Sequence, residues 1–350
     1  MSEIIRFGID TSKAVFTVHG VYASSDQPPL RVNLRRAQLL RFFARRPRTV
    51  VALEACGGSH YWARKLSALG HEVRVVPPQY VKPYVKRGKN DRNDAEAICE
   101  AAGRPGMRFV MIKTEDQQAR AMVLKVRETL VAHRTDLVNT VRGHAAEFGM
   151  VAPKGRGTVA ALLEAVAANA EIPPLAQEML ALLGKRIDDL NGQIKELEAR
   201  LGAMHRADAL SQLLAGIPGV GEIIALSFAT EIDPAAFASA RDLAAWLGLT
   251  PKDHSTGGRQ RLGRITRAGN ERLRALLVSG ATSVIQAASR PGGRLMTEWL
   301  RQLLARKPRK LAAVALANKM ARIIWAMMTT GEAYRAPGPV AAGRAAAAIS

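Results

Sequence analysis

The sequence predicts an α/β N-terminal domain built on a mixed sheet, then a long helical and coiled-coil region, then an all-α C-terminal domain. Three observations predict it. Strand-type and helix-type apolar patterns alternate over roughly the first hundred residues. The pattern turns continuously helical from Glu115. From about Leu210 onward, helical runs are interrupted by glycine turns and carry many arginines.

The elements follow in order. Ile4–Ile9 and Ala14–Tyr22 are β-rich runs joined by a tight Asp-Thr-Ser-Lys turn, and Pro29–Asn33 reads as a third short strand. Gln38–Arg45 has a helical pattern, Thr49–Leu53 (TVVAL) that of a buried strand, and Ser59–Leu69 that of a helix stopped by Gly70. His71–Val76 is another strand, closed by Pro77-Pro78. A basic loop (Lys82, Lys86, Arg87, Lys89) leads to a helix over Asp94–Ala102. Three strands, helix, strand, helix, strand, helix is an α/β layer order.

Glu115–Gly149 and Ala160–Ala170 are helical. Pro173-Pro174 then opens a long helix in which Leu183, Ile187, Leu190, Ile194, Leu197, Leu201 and Met204 alternate spacings of 4 and 3. That register fits a coiled coil between copies, implying a homo-oligomer, or a helix packed within its own chain. Leu210–Glu332 is helical with glycine-rich turns, and the Pro/Gly/Ala-rich tail from Ala336 has the composition of disorder. The expected division is 1–110, 111–209, 210–333 and a tail, 334–350.

Charge narrows the function. Fifty-one Lys+Arg against 30 Asp+Glu leave +21, with a sequence pI near 10.7, the electrostatic footprint of a polyanion binder. Hydrophobic residues make up 48% and mean hydropathy is −0.04, ordinary for a globular chain. Two cysteines, Cys56 and Cys99, exclude a disulfide scaffold and suit a reducing compartment. The opening MSEIIRFGID lacks the apolar core of a signal peptide, and Leu311–Met328 is interrupted by Lys319 and Arg322, too short and charged for a bilayer span. The expectation is a cytoplasmic, nucleoid-associated protein facing nucleic acid and no membrane.

The chemistry concentrates in four carboxylates. Asp10 ends the first strand, Glu54 ends the apolar TVVAL strand, and Asp91 and Asp94 stand three apart at a helix start, on one face. Ligands of open α/β sheets gather at the carboxyl ends of strands. Carboxylates converging there repel unless cations lie between them, and hard divalent ions are the natural partners. Mg²⁺ is the default, with Mn²⁺ as an alternative; two ions about 3.5–4 Å apart clamp an in-line phosphoryl transfer. Taken singly, Asp10 could cap a turn and Asp91 and Asp94 a helix. Glu54 is harder to explain so, because a charge closing a buried strand is costly unless paired or bound to metal.

Further along, Gly216-x-x-Gly219-x-Gly221 lies between helical segments, which suits a helix-hairpin-helix whose turn amides hold a phosphate. A dinucleotide fingerprint is excluded because no strand precedes it. Arg259, Arg261, Arg264, Arg267, Arg272 and Arg274 form one basic cluster, and Arg306, Lys307, Arg309 and Lys310 a second; solvated faces or phosphate contacts both account for them. Aromatics are only 5% of residues, so base stacking is not the main binding mode.

The wording of these motifs carries a resemblance. GIDTSK, ALEACGG and KNDRNDAEAI, with strand-Asp, central-strand Glu and Asp-x-x-Asp on a late helix, resemble the RuvC-type branch of the RNase H fold. They are similar in particular to the DEDD transposases of bacterial insertion sequences, the insertion-sequence one-ten family. The similarity runs through Arg127-Glu-Thr-Leu-Val, Arg134-Thr, Asn139-Thr-Val-Arg142-Gly and Gly216-Ile-Pro-Gly-Val-Gly221. It continues into Gly248-Leu-Thr-Pro-Lys-Asp-His-Ser-Thr-Gly-Gly and Leu262-Gly-Arg-Ile-Thr-Arg-Ala-Gly, where the wording is closest to the eleven-eleven subgroup, and covers about residues 4–330.

The resemblance implies an RNase H-like catalytic domain and an RNA-guided DNA transposase or recombinase. Asp10, Glu54, Asp91 and Asp94 match the family's metal tetrad. Ser255 matches a serine that attacks DNA to give a covalent phosphoserine, with Thr256 as a second hydroxyl beside it; a primary alkoxide is the less hindered nucleophile. Gly257 and Gly258 would let backbone approach DNA closely, and His254 is either a proton shuttle or a plain loop histidine. Lys89, Arg142, Gly219, Gly221, Arg259, Arg261, Arg264 and Arg267 are the expected nucleic-acid contacts. The implied partners are donor and target DNA, a guide RNA of the bridge RNA or seekRNA type, and further copies of the chain, with a site that combines subunits. Two other classes remain at this point: a RuvC-like endonuclease hydrolysing branched DNA with water, and a non-catalytic architectural DNA binder.

Overall fold

The computed structural model describes residues 3–24, 26–86, 90–155, 157–291, 293 and 295–336. The chain divides into two compact units, Met1–Gln118 and Ala119–Ser350. Of the sequence expectations, Lys89 and the tail from 337 lie outside the described residues.

The first unit is a five-stranded sheet with helices on both faces. β1 (Ile4–Asp10), β2 (Val15–Tyr22) and β3 (Leu30–Arg35) form an antiparallel meander. α1 (Leu39–Ala44), β4 (Val50–Glu54), α2 (Ser59–Ala68) and β5 (Glu72–Val76) follow, with β4 and β5 parallel to β1. The spatial order is β3-β2-β1-β4-β5, a mixed sheet. α3 (Pro78–Val81), a short 3-10 turn and α4 (Asp91–Ala102) complete the unit.

Strand alternation sorts the faces. Phe7, Ile9, Val51 and Leu53 point to one side, where Phe43 of α1 and Trp62 and Leu66 of α2 close a core. Edge-on aromatic contacts tighten it, Phe7 on Phe43 at 5.2 Å and Phe16 on Trp62 at 5.1 Å between centroids. The intervening positions face α4, and here Ala52 packs with Ala97, Ile98 and Ala101. Gly8 also faces α4. A Cβ there would lie 2.5 Å from the Cys99 amide nitrogen and closer still to the Ala95 carbonyl. Bare backbone at Gly8 is what lets α4 lie directly on β1.

The second unit is helical. α5 (Glu115–Glu147) carries the boundary; α6 (Thr158–Ala168) and α7 (Pro174–Ala207) follow. α5 and α7 run antiparallel, as Arg120–Asp208, Arg127–Glu198 and Arg134–Asn191 contacts show. The 4-3 stripe of α7 is answered inside this chain. Leu180 and Ile187 pack with Val141 of α5 and Leu162 of α6, and Leu201 packs with Leu124 of α5. The periodicity therefore needs no second copy, because the α5 and α6 faces already remove it from water.

α8 (Ala209–Ala215), α9 (Glu222–Glu231), α10 (Ala240–Trp246), β6 (Pro251–Asp253), β7 (Leu262–Ile265), α11 (Glu271–Ala288), α12 (Glu298–Arg306) and α13 (Arg309–Thr330) complete the unit. Its core joins Phe228, Leu243, Leu247, Leu277, Met320 and Ile324. Two expectations need correction. The C-terminal region is not all helical: β6 and β7 pair as an antiparallel hairpin. Leu311–Met328 is not too short for a span, since α13 has 22 residues and is apolar enough by length and composition. Its Ala313, Ala317, Met320, Ala321 and Ile324 face instead lies in the unit's core.

Candidate active site

Asp10 stands at the carboxyl end of β1, one step past the last paired residues of β1 and β4, Ile9 and Leu53. Glu54 occupies the equivalent end of β4. By the two-residue alternation of a strand, Asp10 shares the face of Gly8 and Glu54 that of Ala52, both toward α4. The close approach at Gly8 then brings the first turn of α4 to the same edge.

That turn begins at Asp91, three residues before the sequence pattern placed it, because Asn90 supplies the cap: its side-chain oxygen accepts the Asn93 amide at 2.8 Å. Asp91 and Asp94 are thereby left out of capping and free for another partner. Carboxylate oxygens of Asp10, Asp91 and Asp94 lie within 4.8 Å of one another. Glu54 is outside that trio, though close enough to feel the charges of Asp10 and Asp94. Burial, then the Asp91 and Asp94 charges, hold the Asp10 carboxyl above the ordinary carboxylate range. Burial, then Asp10 and Asp94, raise Glu54 similarly.

A control lies one turn away. Glu96, also on α4, is paired with Lys86 at 2.6 Å and Arg31 at 3.3 Å, and the Lys86 hydrogen bond lowers its pKa. Among the described residues no ion pair joins Asp10, Glu54, Asp91 or Asp94 to a protein cation. Oxygens sharing one Mg²⁺ at about 2.1 Å stand at most about 4.2 Å apart. The trio is therefore within roughly half an ångström of ligating separation, and its all-oxygen chemistry suits a hard divalent cation.

In the second unit, Ser255 lies in the turn of the β6–β7 hairpin. His254 N–H donates to the Arg261 carbonyl at 2.9 Å, and Thr256 and Arg259 pair across the tip. Gly257 and Gly258 take φ of 55° and 76°, which explains glycine there by backbone conformation, with open space where a Cβ would stand. The Ser255 hydroxyl donates to Asp253 Oδ1, which also accepts the Ser255 amide at 2.8 Å; Arg261 N–H donates to the hydroxyl oxygen at 3.0 Å. The Ser255 bonds, through the side chain first, hold the Asp253 carboxyl below its usual range. Sequence reasoning missed Asp253. The available signal was the Asp-x-Ser spacing, since an aspartate readily accepts the amide two residues on.

Several expected nucleic-acid contacts have work inside the chain. Arg142 Nη2 donates to the carbonyls of Pro153 and Gly155 and to Thr158 Oγ1, at 2.7–2.8 Å, fastening the loop before α6. Arg274 is buried and donates to the Leu247 and Ala268 carbonyls, each at 3.0 Å. Arg272 pairs with Glu231 in a mostly buried contact. Arg259, Arg261 and Arg264 are exposed on the hairpin, and Arg267, also exposed, follows it with φ of 57°.

Gly219 has a packing reason as well. Its φ is 86°, in a turn where Val220 N–H donates to the Ile217 carbonyl at 2.9 Å. A Cβ would lie 2.6 Å from Val284 Cγ2 and 2.8 Å from the Gly280 carbonyl oxygen on α11. Gly221 is exposed and caps α9, with Glu222 as the first residue of that helix.

Comparison with known proteins agrees with this layout. A DEDD transposase model, described as Transposase, matches residues 7–149, and one described as Transposase IS116/IS110/IS902 family matches 211–296. The chain is similar to the Sinorhizobium fredii protein y4pF/y4sB, 56% identical over 96% of this chain and 87% of the relative. It is similar to the transposase for insertion sequence element IS1328 of Yersinia enterocolitica, 39% identical over 95% of this chain and 99% of that one. With the transposase for insertion sequence element IS1111A of Coxiella burnetii it shares 37% identity, over 96% of this chain and 92% of the relative. Two models in the order of the two units, and relatives matched nearly end to end, lead to one conclusion: the chain belongs to the IS110/IS116 family of transposases.

Proposed function

We propose that this transposase cuts and rejoins DNA through a covalent phosphoserine at Ser255, with Asp10, Glu54, Asp91 and Asp94 holding divalent metal, Mg²⁺ by preference, in a RuvC-type domain of RNase H-like fold. The observation that carries the proposal is the convergence of three carboxylates, with Glu54 beside them, on an edge where no cation among the described residues forms an ion pair with them. The strand order β3-β2-β1-β4-β5, with an antiparallel meander first, supports the fold assignment. A divalent cation bound there supplies Lewis-acid stabilisation of charge developing on the phosphoryl oxygens.

The chain's own groups account for the rest. The Ser255 oxygen attacks phosphorus, a P–O bond to deoxyribose breaks, and the departing oxygen takes a proton. Arg259, Arg261 and Arg264 lie on the same hairpin and would meet the flanking phosphates. The α8–α9 turn would hold backbone as a helix-hairpin-helix, with the exposed Gly221 at the helix start. A net charge of +21 and sparse aromatics suit a protein that grips backbone while an RNA guide reads sequence by pairing, and that acts as a homo-oligomer on donor and target DNA.

The test is a trapping assay with the full chain, a duplex carrying an element end, and Mg²⁺. A protein–DNA adduct that disappears in Ser255→Ala and with chelator, and survives Thr256→Ala, is the expected result. Strand cleavage without any adduct in the wild type would instead mean water attack and would refute the phosphoserine. Sequencing RNA that co-purifies with the chain tests the guide.

A further inference from the structure

Resting on the reading of Ser255 as nucleophile, we propose that Asp253 orients the Ser255 hydroxyl and accepts its proton as the oxygen attacks phosphorus. A serine hydroxyl is a weak nucleophile at neutral pH and needs a base or a lowered pKa. The structure puts a carboxylate against the hydroxyl hydrogen before any DNA arrives. Asp253 Oδ1 accepts the Ser255 amide at 2.8 Å and the Ser255 hydroxyl, so one oxygen fixes both the backbone and the rotamer of the same residue. The Arg261 amide, 3.0 Å from the hydroxyl oxygen, fixes it from the other strand. With the hydrogen directed at Asp253 and one lone pair engaged by Arg261, the remaining lone pair is left for phosphorus.

The surroundings agree. Asp253 is exposed on a hairpin that also carries Lys252, His254, Arg259, Arg261 and Arg264. After the Ser255 bonds, the His254 charge is what further favours its ionised form. Asp253 therefore stays a carboxylate through neutral pH, able to receive a proton. In the step, the Oγ–P bond forms and the P–O bond to deoxyribose breaks. The hydroxyl proton passes to Asp253 Oδ1, and the leaving oxygen takes its own proton from solvent. An aspartate that takes a hydroxyl proton during phosphoryl transfer has precedent in protein kinases. Neither Thr256 nor any other hydroxyl of the hairpin has an equivalent carboxylate among the described contacts, which selects Ser255 on geometry.

The experiment compares wild type with Asp253→Asn, Ser255→Ala and the double variant, as full chains on the element-end duplex in Mg²⁺. Single-turnover adduct formation is followed from pH 6 to 9, beside duplex Kd and thermal melts. Asparagine keeps an Oδ1 acceptor for the Ser255 amide, and the hairpin lies outside the core, so melts and Kd should match wild type. The expected result is adduct formation about 100-fold slower or more at neutral pH, within the range of general-base contributions. Its rate should climb about tenfold per pH unit, as hydroxide replaces the lost acceptor, where wild type is nearly flat. A rate within threefold of wild type, or a slower profile parallel to it, overturns the role of Asp253 while leaving Ser255 as nucleophile. An adduct that persists in Ser255→Ala, or none in wild type, overturns the nucleophile and this proposal with it.

Discussion

Neutralising Asp10 should stabilise the metal-free protein while abolishing transposition. In Asp10→Asn the Thr11 backbone bond can be kept by the amide oxygen, and the two repulsions within the trio, with Asp91 and Asp94, vanish together with the one Asp10 exerts on Glu54. At the 4.8 Å bound on the separation of the trio's oxygens, each repulsion within it is about 0.9 kcal/mol in water and about 3.5 at an effective dielectric of 20. Both neighbours touch solvent and a Debye length near 10 Å screens them further, so the pair together contributes about 1–2 kcal/mol. In a unit of this size that raises Tm by about 5 °C. Asp91→Asn should gain less, because Asp91 opens α4 and its charge favours the helix N-terminus by about 0.3–1 kcal/mol.

The assay is a thermal melt in chelator and again in Mg²⁺ or Mn²⁺. With metal at about 100 times Kd, wild type gains about 2.7 kcal/mol, and the order of the two proteins should invert. Asp10 and Glu54 are raised in the folded state, so their contribution is fully present below the ordinary carboxylate value, about 4. It is lost as pH rises through the raised values. The advantage of Asp10→Asn should therefore open toward neutrality and close toward pH 4. If Asp10→Asn melts with or below wild type in chelator at neutral pH, the carboxylates do not repel as argued and the metal site loses its physical basis.

Three other outcomes follow from particular contacts. Gly8→Ala presses a methyl into the Cys99 and Ala95 backbone, which cannot yield as a side chain does. We expect a loss of about 3 kcal/mol in the melt, together with a smaller metal-induced Tm rise because Asp91 and Asp94 draw away from Asp10. Arg142→Ala and Arg274→Ala should destabilise the fold, by about 1–3 kcal/mol for each set of orphaned carbonyls, with a lower Tm and no change in the salt dependence of DNA binding. Arg259→Ala should do the reverse, leaving the melt alone and reducing the slope of log K against log salt by about 0.9. A slope change in Arg142→Ala of that size would show that its guanidinium leaves the loop for phosphate.

The first unit was legible because its signals are local. Alternating apolar residues, Gly70 and Pro77-Pro78 mark the strands to within two residues of β1 to β5, and helix α2 to within one. The carboxylates at strand ends were legible for the same reason, since a charge terminating an apolar run has few explanations. What failed was of two kinds. β6 and β7 are three and four residues long and almost wholly exposed, so no apolar alternation records them; only Gly257-Gly258 marks the turn. The arginines failed because charge does not say what a guanidinium touches. Arg272 and Arg274 read equally as solvated faces or phosphate contacts, and neither reading anticipates Glu231 and the two carbonyls around them. The α7 stripe reads alike for a partner copy and for α5 and α6, and only the tertiary contacts separate them.

The two halves of the proposed chemistry rest on unequal mechanical footing. Asp10, Glu54, Asp91 and Asp94 are fixed to a sheet and a helix that meet at bare backbone, with Phe7, Ile9 and Leu53 fully buried beneath. Such a site cannot relax its repulsion by moving apart, which is why a cation should bind it tightly and why its removal should register in stability. Ser255 instead sits on a short hairpin with little apolar burial, the kind of segment that opens locally at low cost. Its precision comes from Asp253 and the Arg261 amide rather than from packing. A rigid charged edge paired with a serine whose orientation is set only by its immediate hydrogen bonds puts the tolerance for error in the hairpin. The substitution with the largest kinetic effect for the smallest change in stability should therefore fall at Asp253, and not at any residue of the sheet.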